Sequence, residues 1–481
     1  MQTTSKHKRA VFIAISAVLF AVSLYVYGSI ALDLYKLEVA RGGRGYVTDE
    51  VWYVSAARII LVKIFKVEPK QPVNIYNATV VFRIRPSTQQ LLNLARELNL
   101  SINTEFRDLS AVYVSGEKSS VQLFIKSLGN NVVDVIPGWI LPDKQDINNF
   151  INWEHPPLAK YLVGLLMYTI GDYPVYWRIP VILTGALTVL LVFLVSYKIT
   201  GNILASLTAS LLVLVDPISR ALFSIALLDG YIALFTIIAL YLTIQRRYRE
   251  ALLVTLIGGC FKASSLFTTI PLLILVAREK ALSKSKSVLV FTKSIVKYTV
   301  ISIMLYVSIL VLVSVPVMSY MGITQWFNYA LVGAVKWHAS TKCVGAGCPV
   351  SSAPWEWFIG LNSFPLYIYP DGSVLYASGF YPLWSLSLLL LVLFTPLLYT
   401  RERAYGYIVL LFLGTLLGYI GLWIIGGRTQ YSFYAVHFTP LVYINLAYIF
   451  TKILPREELV REALREWARV ISDIISKLFL T

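Results

Sequence analysis

Charge, cysteine and histidine are all scarce in this 481-residue chain, and each scarcity closes off a class of protein. Only 14% of the residues are charged. Three cysteines exclude a scaffold held together by disulfides. With four histidines, no zinc-ligand spacing stands out. Neither does a glycine-rich phosphate loop or a Ser-His-Asp arrangement, which counts against a nucleotide-dependent soluble activity. Acidic residues are few beside basic ones, 26 against 42, giving a net charge of +16. In so apolar a chain that surplus is what the anchoring of many cytoplasmic helix ends produces, so no nucleic-acid partner is inferred from it.

What the chain has in quantity is apolar sequence. Hydrophobic residues make up 57% of it, in runs of helical length that recur along most of the chain. Lipid admits only helices or closed barrels, so the expectation is an all-α polytopic membrane protein. Apolar runs fall at about 10–31, 175–197, 203–216, 226–244, 251–259, 266–276, 298–318, 381–398, 408–425 and 434–450, giving about ten spans. The run 158–170 is short and is expected to lie along the membrane. The first run is too long, and lacks a cleavage site, for a removed signal peptide. Lys6, Lys8 and Arg9 precede it, so the N-terminus is expected inside the cell and Asp49 outside. The basic connection 278–297 then faces the cytoplasm, as do both termini, in a multi-pass protein of the cell membrane. Four regions follow: 1–66, the first span and an acidic outer motif; 67–147, an inserted external domain; 148–454, the multi-pass core with an outer loop at 319–380; and 455–481, an amphipathic cytoplasmic tail.

Within the insert the periodicity changes. "NATVVFRIR" alternates as a strand, "STQQLLNLAREL" reads as a helix capped by Ser87, and "KSSVQLFIKSLG" as a helix ending at Gly129. With strands at "SINTEFRDL", "SAVYVSG" and "NNVVDVIPG", the order is βαββαβ, a small ferredoxin-like α+β sandwich. Its expected core is Val80, Phe82 and Ile84 from one strand with Leu92, Ala95 and Leu98 from a helix. Asn77-Ala-Thr79 and Asn99-Leu-Ser101 are glycosylation acceptor patterns.

Several constellations could carry chemistry. Asp49-Glu50 would sit at the water–membrane boundary, where a carboxylate can take a proton from a hydroxyl. The plainer reading is a helix start with Thr48 as cap and acidic residues offsetting the dipole. In Glu154-His155-Pro156-Pro157 two prolines hold an extended chain, with Lys160 one turn into the next helix. The plainer reading is a proline helix start and a lysine reaching for head groups. Arg178, Asp229, Lys262 and Arg428 fall at outer helix ends, where ionisable groups face a polar cavity or serve as anchors and ion pairs. Cys343 and Cys348, five apart on the oxidising side, could close a small disulfide loop. Trp355 and Trp357 suit an interfacial belt or a sugar-stacking platform.

With these stretches laid out, the chain resembles the dolichyl-phosphate-mannose–protein mannosyltransferases, integral membrane glycosyltransferases of the C-type fold. The likeness lies in "TDEVWYVSAAR", "EHPPLAKYLVGL", "YWRIPVILTGALT", "LLDGYIALF", "CFKASSLFTTIPLLIL", "SSAPWEWFIG" and "GGRTQYSFYAVHFTPLVYI", in family order over most of the chain outside the insert. The arginine that family members often carry just before Leu-Leu-Asp has its nearest counterpart at Arg220. The β-rich domain of eukaryotic members is missing from the second outer loop. The resemblance implies transfer of a sugar, mannose first, from a polyprenyl- or dolichyl-phosphate donor to Ser or Thr hydroxyls of a protein or peptide on the outer face, with inversion. Asp49 would be the base, with Glu50 orienting the acceptor or supporting the helix. Glu154 and His155 would line the sugar or acceptor pocket, with Asp229 among the groups facing it. Lys160, Arg178, Lys262 and Arg428 would meet the leaving phosphate. No metal or other cofactor is required, although a divalent ion bridging phosphate and carboxylate is compatible, as is a dimer. The rivals are a sister enzyme moving aminoarabinose or a hexose to lipid or glycan, a transporter or flippase, and an assembly protein that binds a partner through the insert.

Overall fold

The computed structural model describes residues 2–284, 287–341, 343, 345, 347–399 and 402–479. It is mostly helical. Helix α1 (Gln2–Ala40) and four further stretches, Ile179–Thr200, Val288–Met321, Arg403–Ile424 and Ser432–Ile453, are long and apolar enough to cross a membrane. Leu158–Thr169, Ile203–Val215, Asp229–Ile244 and Tyr381–Leu393 are apolar but shorter. Among the described residues five stretches reach full span length, where the sequence suggests about ten spans, some of them short. The span Ser432–Ile453 lies deepest, 89% of its apolar window buried, packed by Ile179–Thr200, Ile203–Val215, Asp229–Ile244, Tyr381–Leu393 and Arg403–Ile424. Small residues allow close approach: a Cβ at Gly418 would stand 2.6 Å from Phe267.

Two boundaries differ from the sequence reading. Helix α1 runs on to Ala40, nine residues past the expected 31, because Leu34 and Leu37 still pack inward while Lys36 reaches solvent. The basic stretch 278–297 is not a loop. One helix runs to Lys284 and the next begins at Val288, so most of its charges sit on helix ends; residues 285 and 286 lie outside the described residues.

The insert has the expected topology. Its elements are β1 (Tyr76–Phe82), α3 (Thr88–Glu97), β2 (Ser101–Asn103), β3 (Ala111–Gly116), α4 (Lys118–Leu128) and β4 (Val132–Pro137), with α2 (Glu50–Ile59) preceding them. The sheet order is β2-β3-β1-β4, antiparallel throughout. Ser87 and Gln90 form a reciprocal capping box at the start of α3, and Gly129 ends α4. One sheet face, with Ala78, Val80, Val112 and Val114, packs on Leu91, Ala95, Val121 and Phe124. Leu91 thus takes the core position expected of Leu92, which is exposed, while Leu98 packs at the edge; Ile84 lies beyond the strand and is exposed. Asn77 is locked in β1 between two neighbours, whereas Asn99 stands in an exposed turn.

The other sheet face is also covered. Val81, Ala111 and Ile136, with Phe106 and Ile140, join a cluster that includes Ile59, Ile60, Leu310, Val317 and Trp326 of the helical core. A polar clamp reinforces it. Asp172 accepts from Arg58 Nε (2.5 Å) and Nη2 (2.9 Å), from the Trp139 backbone N–H (2.9 Å) and from Trp177 Nε1 (2.7 Å). Arg44 donates to the Leu141 carbonyl at 2.7 Å. The sandwich shares its core with the helices rather than hanging from a tether.

Beyond Met321 the chain turns at Gly322 into a helical stretch that reaches Ala339, wound wide over Phe327–Gly333. Cys343 and Cys348 are disulfide-bonded. Strands β5 (Phe364–Ile368) and β6 (Val374–Ala377) form a hairpin over the helix ends.

Candidate active site

The two acidic neighbours at the start of α2 have opposite surroundings. Thr48 takes a left-handed backbone (φ 46°) and does not cap the helix; Asp49 occupies the capping position without a side-chain capping bond. Glu50, one residue on, is fully buried. Its Oε1 accepts from Arg178 Nε (2.8 Å) and the Ala226 N–H (2.7 Å), and its Oε2 from Arg178 Nη2 (2.7 Å) and the Val47 N–H (2.8 Å). Arg178 spends two further donors on the carbonyls of Ala31 (2.6 Å) and Gly45 (3.1 Å). Both Glu50 oxygens are filled and four of the five Arg178 N–H groups are engaged, which suits the pair to a scaffold role. They tie α1, α2 and the helix beginning at Ile179 together. Breaking a buried pair by removing one charge costs about 3–5 kcal/mol. Glu50→Gln is therefore expected to lower the thermal midpoint of the detergent-solubilised protein sharply. An unchanged melt would show that the pair does not hold these helices.

Asp49 has no such ties. It is half-buried, and its carboxylate accepts no hydrogen bond among the described residues. Burial raises its pKa to about 6; the Lys262 ammonium opposes that rise and Asp229 adds to it. Lys262 is ion-paired with Asp229 at the start of the helix Asp229–Ile244. Its Nζ also stands 4.1 Å from the centre of the Tyr434 ring and 5.4 Å from that of Phe433. Burial pulls the Lys262 pKa down, while Asp229 and Asp49 resist. Asp229 Oδ2 is buried without a hydrogen-bond partner. Asp49, Asp229 and Lys262, far apart in sequence, form one electrostatic group.

This group borders a cavity of about 350 Å³. Its lining is mostly apolar, with Tyr306, Leu310, Val317, Trp326 and Leu331, and includes Lys262, Glu154, His155 and Tyr434. Asp49 is not in the wall itself. Tyr53, one turn along α2, lies between, within the field of both Asp49 and Glu154, and its ring meets His155 edge-on at 5.6 Å. The His155 and His338 rings, both in the cavity wall, have their centres 5.2 Å apart. Glu154 accepts from Asn152 Nδ2 at 2.8 Å.

Lys160 also borders the cavity, with its ammonium engaged by the neighbouring backbone. Nζ donates to the backbone carbonyls of Asn152 (2.5 Å), His155 (2.8 Å) and Ile151 (3.2 Å). An ammonium has three protons, so the contacts are complete. Lys160, in α5 (Leu158–Thr169), spends these donors on the loop that carries Glu154 and His155, and so pins it. Arg428 does not join the group either. It is exposed, in a separate groove beside the disulfide loop.

Sequence reasoning missed the aromatic side of the site. Tyr434 covers Lys262, and Tyr419 stacks near it with centroids 6.3 Å apart. The Tyr419 hydroxyl lies 3.1 Å from His437 Nδ1, and His437 Nε2 lies 3.0 Å from Thr268 Oγ1. The density of rings in "QYSFYAVHF" was the available signal. Among the described residues no group of three or more His, Cys, Asp or Glu side chains is placed to hold a metal ion.

No family model matches the chain. A polyprenol-phosphate-mannose–protein mannosyltransferase of Corynebacterium glutamicum is 28% identical over 115 residues, 23% of this chain and 22% of that protein. The likeness in sequence is to a mannosyltransferase. The matched stretch spans about a fifth of that relative's length. A crystal structure of ArnT from Cupriavidus metallidurans bound to undecaprenyl phosphate superposes with a TM-score of 0.46 and 13% identity, covering 97% of this chain and 64% of that one.

Proposed function

We propose that the chain is a membrane glycosyltransferase that moves a sugar, mannose first, from a polyprenyl-phosphate carrier to Ser or Thr hydroxyls on the outer face, with inversion. The observation that carries this reading is the contrast at the start of α2. Glu50 is saturated with donors, while Asp49 keeps an unbonded carboxylate beside a buried cation, near a largely apolar cavity whose wall includes that cation, Glu154 and His155. That cavity suits a ligand with an anionic head and a hydrocarbon tail. Both termini then lie in the cytoplasm.

In the reaction the acceptor hydroxyl gives its proton to Asp49, and its oxygen forms the new bond to the anomeric carbon. The bond from that carbon to the phosphate oxygen breaks on the opposite face, and its electron pair leaves with the lipid phosphate. Lys262 supplies positive charge where negative charge develops on the leaving group. Tyr434 holds the ammonium, and Lys160 holds Glu154 and His155 beside the sugar.

A base works only when unprotonated. With its pKa raised to about 6, Asp49 is mostly protonated below that pH, and kcat should fall there by about tenfold per pH unit. Above pH 7 the acid limb should be flat. A limb that instead begins near pH 4, the ordinary carboxylate range, would remove Asp49 or its burial from the account.

The test of function is mass spectrometry of the products after incubating membranes that contain the protein with polyprenyl phosphates carrying mannose, another hexose or aminoarabinose, and with a Ser/Thr peptide, a glycan or a lipid as acceptor. A mannosylated peptide is expected. Transfer of another sugar to lipid or glycan would favour the sister-enzyme reading, and no product from any pair would end the transferase reading.

A further inference from the structure

The groove beside the disulfide loop has a construction of its own. Its volume is about 660 Å³, and Thr341, Cys343, Cys348, Ser351, Trp423 and Arg428 lie along it. Its two walls are chain segments fastened to each other. Thr341 Oγ1 donates to the Gly426 carbonyl at 2.9 Å, and the Ser352 N–H donates to the Gln430 carbonyl at 2.8 Å. Two glycines let the segments approach: Gly426 has φ +118°, and a Cβ on Gly427 would stand 2.5 Å from the His338 carbonyl. The disulfide closes the other end of the loop.

Among the described residues one cation, Arg428, lines this groove. The Arg428 guanidinium is exposed, forms no ion pair and donates no hydrogen bond among the described residues. The rest of the described lining is hydroxyl, backbone, disulfide, Pro349, Val350 and Trp423, which meets Trp355 edge-on at 5.8 Å. The groove adjoins the catalytic side. Leu422 and Ile425, on the same turns as Trp423, line the main cavity, as do His338 and Ala339. Tyr431, three residues past Arg428, lies in the field of Asp49.

On the transferase reading, we propose that this groove seats the acceptor, and that Arg428 selects peptides bearing an Asp or Glu close to the reacting Ser or Thr. A guanidinium meets a carboxylate through two parallel hydrogen bonds, a geometry that rewards a planar anion. The donor phosphate is provided for elsewhere, at Lys262, where the apolar cavity can take the tail. The groove is open, and its mixed lining of loop backbone, hydroxyls and a few apolar side chains suits an extended peptide.

Equilibrium binding tests this without needing turnover. Fluorescence anisotropy of two labelled Ser/Thr peptides, identical except for Glu or Gln beside the hydroxyl residue, is measured on the full chain in detergent. The wild type is expected to bind the Glu peptide about tenfold tighter. Arg428→Gln should erase that preference, Arg428→Lys should keep part of it, and binding of a polyprenyl-phosphate mannose should not change. Equal affinity for the two peptides in the wild type, or a preference that survives Arg428→Gln, would overturn the assignment. Loss of donor binding in Arg428→Gln would return Arg428 to the phosphate. Tighter binding of a uronic-acid oligosaccharide than of either peptide, lost in the same variant, would give the groove to a glycan instead. Absence of products in the donor and acceptor survey would end the transferase reading without altering the peptide preference, so the two failures are distinguishable.

Discussion

Asp49→Asn is expected to lower turnover by about 10²–10⁴-fold, the usual contribution of a positioned general base, with donor affinity nearly unchanged. The substitution keeps the shape of the side chain and removes only its ability to take a proton. Folding should not suffer. The carboxylate accepts no hydrogen bond among the described residues, and burial disfavours its charged form, so a neutral amide relieves a penalty rather than creating one. The melting temperature should therefore stay level or rise slightly. Turnover and thermal melting of one preparation decide the matter. Retained turnover would take the base away from Asp49, and a collapse in stability would make it structural.

Cutting out the insert should do far more damage than its βαββαβ pattern suggests. The pattern alone describes a sandwich with one apolar face, a unit that could be replaced by a linker with donor binding intact. The structure gives the sheet a second buried face, where Val81, Ala111 and Ile136 join Ile59, Ile60, Leu310, Val317 and Trp326. Leu310, Val317 and Trp326 also line the cavity. Re-exposing a large apolar side chain costs about 1.5–3 kcal/mol, so a few of them approach the whole stability margin of about 5–15 kcal/mol. Replacing residues 73–140 with a flexible linker is expected to give aggregated protein, or a folded fraction with a much lower melting temperature and no donor binding. A monodisperse product that melts like the wild type and still binds donor would show that the shared core contributes little.

These two results also mark what the sequence made legible. Hydropathy gave a multi-pass helical architecture, because burial in lipid demands apolar length whatever the neighbours are. Local signals gave the insert: alternation in β1, Ser87 at a helix start and Gly129 at a helix end are effects of adjacent residues. The side chains that an ionisable group touches are not local. Glu50 meets Arg178 across 128 positions, and nothing in "TDEVWY" distinguishes the saturated carboxylate from the free one. Lys160 looked like a phosphate ligand or an anchor, yet the carbonyls just before it were close enough to take all its protons. Arg428 shared a predicted depth with Lys262 but not a cavity. Depth is written in hydropathy, whereas direction is set by how the helices pack.

The most direct measurement is the anomeric configuration of the product, by NMR, after transfer from a donor of defined configuration to a Ser or Thr peptide. Asp49 acting as a base on the acceptor hydroxyl implies a single displacement, and the new linkage should have the configuration opposite to that of the donor. Retained configuration would mean two displacements through a covalent glycosyl–enzyme intermediate, with a carboxylate as nucleophile rather than base, and would contradict the mechanism proposed for this site.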